Sequence, residues 1–392
     1  MLVSVKQKDR IRKLFTSSRF IYVLGFILVL LVTVAMVIDE RYKVFLVYKF
    51  GTLDFWNSIN PYAEWQHPLD RYLYGPVFSV FFLFFAFLPS WLGAVFWNIF
   101  NYSLFFCAVF TLPANLFNTK RKRFVFWFLF PIALTDLFYF QSNLFVASFF
   151  LLAYSLCEQN RFLYGIVVIL FSGFSKIYGF IQLGTLLFYR RFWRNVLAVV
   201  VLSVLLFLIP LLKVSFSELL AYYQSWFVAI DQRHNPLDFE VIYRLFYILG
   251  YKNAVNQIPI IQVVSLAIIS LLILANHKKH NNAAFRTQVL GIVLGWVILF
   301  STTAEKHTYV IAMAGLVLWH LSDQKTTFDK VLLWINFLLI ILIPIDAIFP
   351  KELMRFLYYR LGLNLLLFSI TWLRMLSYTF IGDALSVKFT KR

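Results

Sequence analysis

The apolar residues of this chain lie in long unbroken runs rather than in alternating or one-sided patterns. Residues 20–38, FIYVLGFILVLLVTVAMVI, give 19 consecutive uncharged residues, close to the ~20 that a helix needs to cross ~30 Å of hydrocarbon. A basic stretch precedes the run, as it would in a cleaved signal peptide. The run is longer than a usual signal core and no clean small-residue cleavage site follows. The pattern therefore predicts a retained first helix, with the N-terminal residues 1–19 in the cytoplasm. Further apolar stretches near 76–112, 124–140, 143–157, 162–174, 177–189, 195–212, 259–275, 288–302, 309–321, 331–347 and 361–380 predict an all-α polytopic membrane protein, one integral membrane domain over 1–392. Residues 76–112 divide at Leu88-Pro89-Ser90, and the first part, VFSVFFLFFAFL, has only 12 residues, too few to span unaided. Reading one part as re-entrant or interfacial gives about 12 crossings. Both termini are then inside, the tail 383–392 included.

Two longer polar segments interrupt the pattern, 39–75 and 213–258. On this orientation both are extracytoplasmic loops. The stretches 162–174 and 177–189 are short and share an outer turn at Ser175-Lys176, an arrangement tolerated where the turn is buried in protein or lines a wet cavity. No internal repeat of fixed period is present, which weighs against an inverted-repeat transporter.

Composition sharpens the class. The chain is 61% hydrophobic, 20% aromatic and 14% charged, against about 25% charged for a soluble domain. That excludes a disordered chain, a disulfide scaffold and a cytosolic nucleic-acid binder. Cys107 and Cys157 both lie within apolar runs and are read as buried thiols with no redox or zinc role. The net charge of +18 would suggest DNA or RNA if it covered one soluble face. It is instead spread in short groups between the spans: Lys6 to Lys13, Lys120 to Arg123, Arg190, Arg191 and Arg194, Lys278, Lys279 and Arg286, and Lys388, Lys391 and Arg392. The termini and the turns expected on the cytoplasmic side hold 22 of the 36 Lys and Arg, which is the positive-inside pattern. The charge sets orientation, and no nucleic-acid partner is expected.

There is no phosphate-binding loop, dinucleotide fingerprint, HExxH or CxxC pair. His277 and His280 have i, i+3 spacing but sit in a basic turn without carboxylates, so no metal is assigned there. Polar residues outside the cytoplasm gather instead in four segments. The first starts at Asp39-Glu40-Arg41-Tyr42 and runs through Asn60-Pro61-Tyr62 to His67-Pro68-Leu69-Asp70-Arg71-Tyr72-Leu73-Tyr74-Gly75-Pro76. A carboxylate at a membrane boundary has the partly desolvated setting that suits a general base, although Asp39 and Glu40 also simply mark the helix end. The second is Gln141-Ser142-Asn143, and the third is Ser175-Lys176-Ile177-Tyr178-Gly179. A lysine amid apolar helices is costly and is a site candidate, unless it snorkels to the headgroups. The fourth is Ala304-Glu305-Lys306-His307-Thr308, where Glu305 and Lys306 are in reach of pairing with each other. Together these residues are the equipment for moving a group from a phosphorylated lipid to a hydroxyl: a base for the acceptor proton and cations for the departing phosphate. Ion-coupled carriers use such residues too.

In this order the segments resemble the multispanning glycosyltransferases of family 87, of the GT-C superfamily, and a bacterial subgroup in particular. Asp70-Arg71-Tyr72-Leu73-Tyr74-Gly75-Pro76 is similar to its D-x-Y-x-Y-S-P, with Gly75 in place of Ser. Trp97-Asn98-Ile99-Phe100-Asn101 resembles W-N-x-x-N, Gln141-Ser142-Asn143 resembles Q-S-N, and Ser175 to Gly179 resembles x-K-I-F/Y-G. Ala304 to Ala312 is similar to A-E-S-P-T-F-V-I-A, with Lys306-His307 in place of S-P. The resemblance runs from about residue 38 to 320.

It implies a GT-C-like bundle with its active site at the extracytoplasmic face of the inner membrane of a bacterium. The implied activity is transfer of a hexose, usually mannose in family 87, from a polyprenyl-phosphate sugar to a lipid-linked or envelope glycan acceptor, with inversion at the anomeric carbon. The first outer loop would supply the catalytic carboxylate, Asp39 or Glu40, with Asp54 and Asp70 behind them. Lys176, and Lys306 or His307, would bind the donor phosphate. His67, Asp70, Tyr72, Tyr74, Gln141, Asn143 and Glu305 would shape the acceptor pocket. No cofactor or metal is called for, and the partners are the donor, the acceptor and membrane lipids. The segment 213–258, with Trp226, Asp231, Arg233, His234 and Asp238, is read either as a cover over the acceptor or as a surface segment with an interfacial helix. The rival classes are an ion-coupled carrier or flippase, to which Asp136, Asp346 and Arg374 would be relevant, and a non-catalytic envelope-assembly protein. A polymerase or ligase of envelope glycans is a neighbouring enzyme class.

Overall fold

The computed structural model describes residues 17–63, 67–189, 192–231, 235–345 and 348–382. Most of the expected cytoplasmic N-terminus, the tail 383–392, and Arg190, Arg191, Arg233, His234 and Asp346 lie outside the described residues. Within them the chain is helical, with no strand. In chain order the helices that build the bundle are α1 (Ser18–Ile38), α2 (Lys43–Trp56), α3 (Pro76–Ala86), α4 (Ser90–Thr111), α5 (Thr119–Phe138), α6 (Asn143–Glu158) and α7 (Phe162–Ser175). A 3-10 segment, Ile177–Phe188, follows. Then come α8 (Phe192–Leu208), α9 (Phe216–Asp231), α10 (Ile242–Ile248), α11 (Ile258–Ala275), α12 (Ala283–Leu299), α13 (Tyr309–Leu321), α14 (Thr327–Asn336) and, after irregular turns, α15 (Leu363–Phe380).

Five helical stretches among the described residues are long and apolar enough to cross a membrane: Ser18–Ile38, Ser90–Thr111, Phe192–Leu212, Lys252–Ala275 and Leu363–Phe380. Five shorter apolar helices accompany them. The sequence expectation of about 12 crossings counted each apolar stretch once. The break at Leu88-Pro89 separates an 11-residue α3 from a 22-residue α4. At 1.5 Å per residue α3 rises only about 16 Å, half the hydrocarbon, and Lys49 of α2 donates to the Leu88 carbonyl just past its end.

Aromatic rings fill the centre. Trp97 is fully buried, with ring centroids of Phe82, Phe145 and Tyr48 at 5.1, 5.6 and 5.8 Å. Buried amides join helices where lipid offers no partner. Asn98 donates to Thr33 Oγ1 of α1 and to the Leu137 carbonyl of α5, and Asn336 donates to Thr371 Oγ1. Arg374, the basic residue within the last apolar stretch, pairs with Asp329 at 2.8 Å. The 3-10 segment buries Gly179, Gln182, Leu186 and Phe188, and Gln182 donates to the Phe150 carbonyl of α6 at 2.8 Å.

Two expectations change. Residues 39–75 are not simply a polar loop, because α2 folds within them and buries Phe45, Val47, Tyr48 and Phe55. Of the two thiols Cys157 is buried but Cys107 is exposed. An apolar run does not separate a core-facing side of a helix from a lipid-facing one, since both are apolar.

Helices α12 and α13 touch backbone to backbone at Gly291 and Gly315. A Cβ on Gly315 would lie 2.7 Å from the Gly291 oxygen. Gly315→Val is expected to cost at least ~1–3 kcal/mol, the scale for overpacking, seen as a lower thermal midpoint in detergent. An unchanged midpoint would show that the helices can move apart freely.

Candidate active site

Helix ends bring the polar segments together. Helix α5 starts among Lys120 to Arg123 and ends at Asp136 and Tyr139, α6 leads away from Asn143, and α7 returns from Arg161 to Lys176. Asp136 is fully buried. Its carboxylate accepts from Asn143 Nδ2 at 3.1 Å and from the Leu144 amide at 2.9 Å. The Asn143 carbonyl oxygen accepts in turn from Lys176 Nζ at 3.1 Å and from the Tyr178 hydroxyl at 3.4 Å. Lys176 lies over the rings of Tyr74 and Tyr178, at 5.2 and 5.6 Å. It does not snorkel: cation–π and amide contacts hold it inside.

Tyr74 closes the same cluster. Its hydroxyl is 2.8 Å from Ser142 Oγ and 3.2 Å from the Tyr48 hydroxyl, to which it donates. The Gly75 amide donates to the Ser175 carbonyl at 3.1 Å, and a Cβ on Gly75 would collide with the Phe174 carbonyl oxygen. The residue that departs from the resemblance is thus the one where two backbones meet. Tyr72 is buried against Ser79, with 2.7 Å between the oxygens. Gln141 sits half-buried in the turn, its amide donating to the Asp136 carbonyl.

The fourth segment reaches the cluster through Tyr139, whose ring takes Lys306 Nζ at 5.5 Å and the His307 ring at 5.7 Å. Both His307 and Lys176 lie within electrostatic reach of the Asp136 carboxylate. Glu305 pairs with His307 Nε2 at 2.7 Å, not with Lys306 as adjacency suggested.

The sequence profile of glycosyltransferase family 87 matches residues 72–302, over half of the chain. The chain belongs to glycosyltransferase family 87. Its chemistry is therefore glycosyl transfer between donor and acceptor substrates in a membrane. No curated protein matches the chain. The family 87 match takes in Tyr72, Tyr74, Gln141, Asn143 and Lys176; Asp39, Glu40, His67 and Asp70 lie before it, and Glu305, Lys306 and His307 after it.

Asp39 and Glu40 of this glycosyltransferase are exposed at the end of α1. The turn is a helix stop in which Glu40 takes a left-handed φ of 54°, the Arg41 amide donates to Met36 and the Glu40 amide to Val37. The same pattern ends α5, with Phe140 at φ 55° and the Gln141 amide on Asp136. Tyr42 packs on Phe140 at 6.3 Å, which sets the Asp39 turn beside the Gln141 turn. Asp70 is exposed and, with Lys43, Val44, Val47, Pro68 and Leu69, lines a cavity of about 360 Å³. His67 is drawn away from it: Nε2 lies 2.8 Å from Asp54 Oδ2, and the ring stacks on Phe50 at 4.6 Å. The cluster therefore gathers Tyr74, Gln141, Asn143, Lys176, Lys306 and His307, and leaves His67 aside.

Sequence reasoning weighed Asp136 only for a carrier and missed Glu240 altogether. An acid five residues after a proline within an apolar run was the available signal for the first. Glu240 had none, because its burial comes from distant segments. It is 6% exposed; its amide donates to the Ala304 carbonyl at 2.8 Å, its carbonyl accepts from Tyr309, and Asn364 Nδ2 donates to its carboxylate at 2.8 Å. It thereby straps the segment 213–258 to the turn that carries Glu305 to His307. The same segment is tied to 39–75 by Trp226, which donates to the Leu73 carbonyl at 3.0 Å.

Burial pushes the Glu240 carboxyl up to about 7, against the pull of Arg244 and Lys306. A folded pKa above the ordinary 4.5 means that this group's contribution to stability is complete below pH 4.5 and is lost as pH rises through about 7. The thermal midpoint of the wild type is expected to fall across that window, and Glu240→Gln is expected to flatten the fall. An equal fall in the variant would assign it to another group.

Proposed function

We propose that this family 87 glycosyltransferase moves a hexose, mannose in the first instance, from a polyprenyl-phosphate sugar to a lipid-linked or envelope glycan hydroxyl, with inversion at the anomeric carbon. The reading places the reaction at the extracytoplasmic face of a bacterial inner membrane, with both termini in the cytoplasm. The observation that carries it is the fixed cation cluster in a carboxylate-bearing mouth: Lys176 is held by Asn143 and two tyrosine rings, with His307 and Lys306 gathered on Tyr139. His307 is buried and its Nδ1 has no hydrogen-bond partner, so a donor is free for an incoming anion when the ring is protonated or in the matching tautomer.

In this mechanism Asp39 takes the proton of the acceptor hydroxyl as its oxygen attacks the anomeric carbon. The bond from that carbon to the phosphate oxygen breaks, and the polyprenyl phosphate leaves with the electron pair. Lys176, with Lys306 or His307, neutralises the charge that develops on the phosphate, which is where preorganised cations lower a barrier. Asp70 and the cavity beside it would take the acceptor, and the aromatic walls exclude water. Holding two lipid-bound substrates beside the base adds proximity worth several kcal/mol.

Transfer from radiolabelled polyprenyl-phosphate mannose in proteoliposomes tests the reading. Asp39→Asn is expected to lose roughly 100-fold or more, the scale of a general base. Glu40→Gly is expected to keep full transfer and to gain stability on the order of 1 kcal/mol, because glycine removes the left-handed penalty. Full transfer by Asp39→Asn with loss in Glu40→Gly would move the base by one residue. Loss in neither would move it to Asp54 or Asp70.

A further inference from the structure

A second concave site lies at the other end of the bundle. Helix α6 runs 16 residues from Asn143 in the cluster to Glu158, a rise of ~22 Å. At that end a cavity of about 960 Å³ opens between the start of α7, the start of α8 and the turn before α12. Arg161, Arg194, Asn281 and Arg286 line it together with Glu158 and Tyr164.

Its charges are unequal. Glu158 is consumed within the wall: it takes Arg286 Nε at 2.6 Å and Nη2 at 2.7 Å, and the Tyr189 hydroxyl at 2.7 Å. Arg286 also donates to the His280 carbonyl, so this pair is a fixed brace and contributes no net charge. Arg161 and Arg194 remain, exposed at the mouth, and neither has a carboxylate partner among the described residues. Two uncompensated arginines in one concave site favour a phosphate, which a guanidinium meets with paired hydrogen bonds.

The cavity also continues into an apolar surface. It reaches Ala198 on α8, and from there Leu197, Val200, Val201 and Val204 of the same helix are exposed. A free phosphate has no use for that surface, whereas two acyl chains do. We propose that this cavity holds the phosphate headgroup of an anionic phospholipid, clamped by Arg161 and Arg194, with its chains along α8. Basic pockets between membrane helices at the basic face suit such headgroups. The site is remote from the sugar-transfer cluster, and it stands or falls independently of what that cluster transfers.

The test is a titration of the purified full-length protein in detergent with phosphatidylglycerol, read as the shift in thermal midpoint. Phosphatidylcholine and inorganic phosphate serve as comparisons. Phosphatidylglycerol alone is expected to stabilise the wild type. Arg161→Ala/Arg194→Ala is expected to weaken its apparent affinity roughly 30-fold. Lys120→Ala/Lys330→Ala, which removes equal charge elsewhere, is expected to bind as the wild type does. If the alanine pair does not fold, Arg194→Gln carries the same comparison with a smaller loss. Equal stabilisation by inorganic phosphate would overturn the lipid assignment in favour of a small-anion site. Equal weakening in the lysine control, or none in the arginine variants, would reduce the effect to overall surface charge and overturn the site.

Discussion

One side-chain amide organises one end of this helical bundle. Asn143 donates to a buried carboxylate, Asp136, and accepts from a half-buried ammonium, Lys176. A side-chain amide presents both roles on one planar group and carries no charge of its own. Asp136 closes α5, Asn143 opens α6 and Lys176 closes α7, so this one residue fixes three helix ends relative to each other. In a setting where an unpaired charge is costly, neither ion can leave without stranding the other.

Around that centre the two longer polar segments, 39–75 and 213–258, are fastened rather than draped. Helix α2 lies within the first and supplies Tyr48, which anchors Tyr74. The second is pinned at Trp226 and again at Glu240, which joins it to the turn of Lys306 and His307. A lysine and a histidine far along the chain are thus held to the same geometry as Lys176. In the proposed reaction charge moves to a leaving phosphate, and there fixed cations are more useful than mobile ones, because they need no reorganisation when the bond breaks.

The sequence made the class of the protein plain, since 19 uncharged residues in a row admit few alternatives. It also marked the segments that meet in the cluster, because polar residues among apolar runs stand out. What it did not carry was how they pair. Adjacency suggested Glu305 with Lys306, yet one residue further along, His307 faces Glu305 while Lys306 turns to Tyr139. His67 looked like part of the pocket and is held by Asp54 instead. Helix α2 was hidden because its buried side is shared among Phe, Val and Tyr, without a long apolar run. Family membership sharpens the chemistry, but the matched region ends short of both Asp39 and His307.

The 3-10 segment after Lys176 solves a matter of reach. It has 12 residues, whereas α6 beside it has 16. At ~2.0 Å per residue the tighter winding rises ~22 Å, against ~16 Å had the same residues formed an α-helix. The longer rise is close to that of α6. Tyr178 near the start of the segment therefore meets Asn143 at one end of α6, Gln182 meets Phe150 midway, and Tyr189, just past the segment's end, meets Glu158 at the other. A shorter stretch of chain thus braces a longer helix along its whole length.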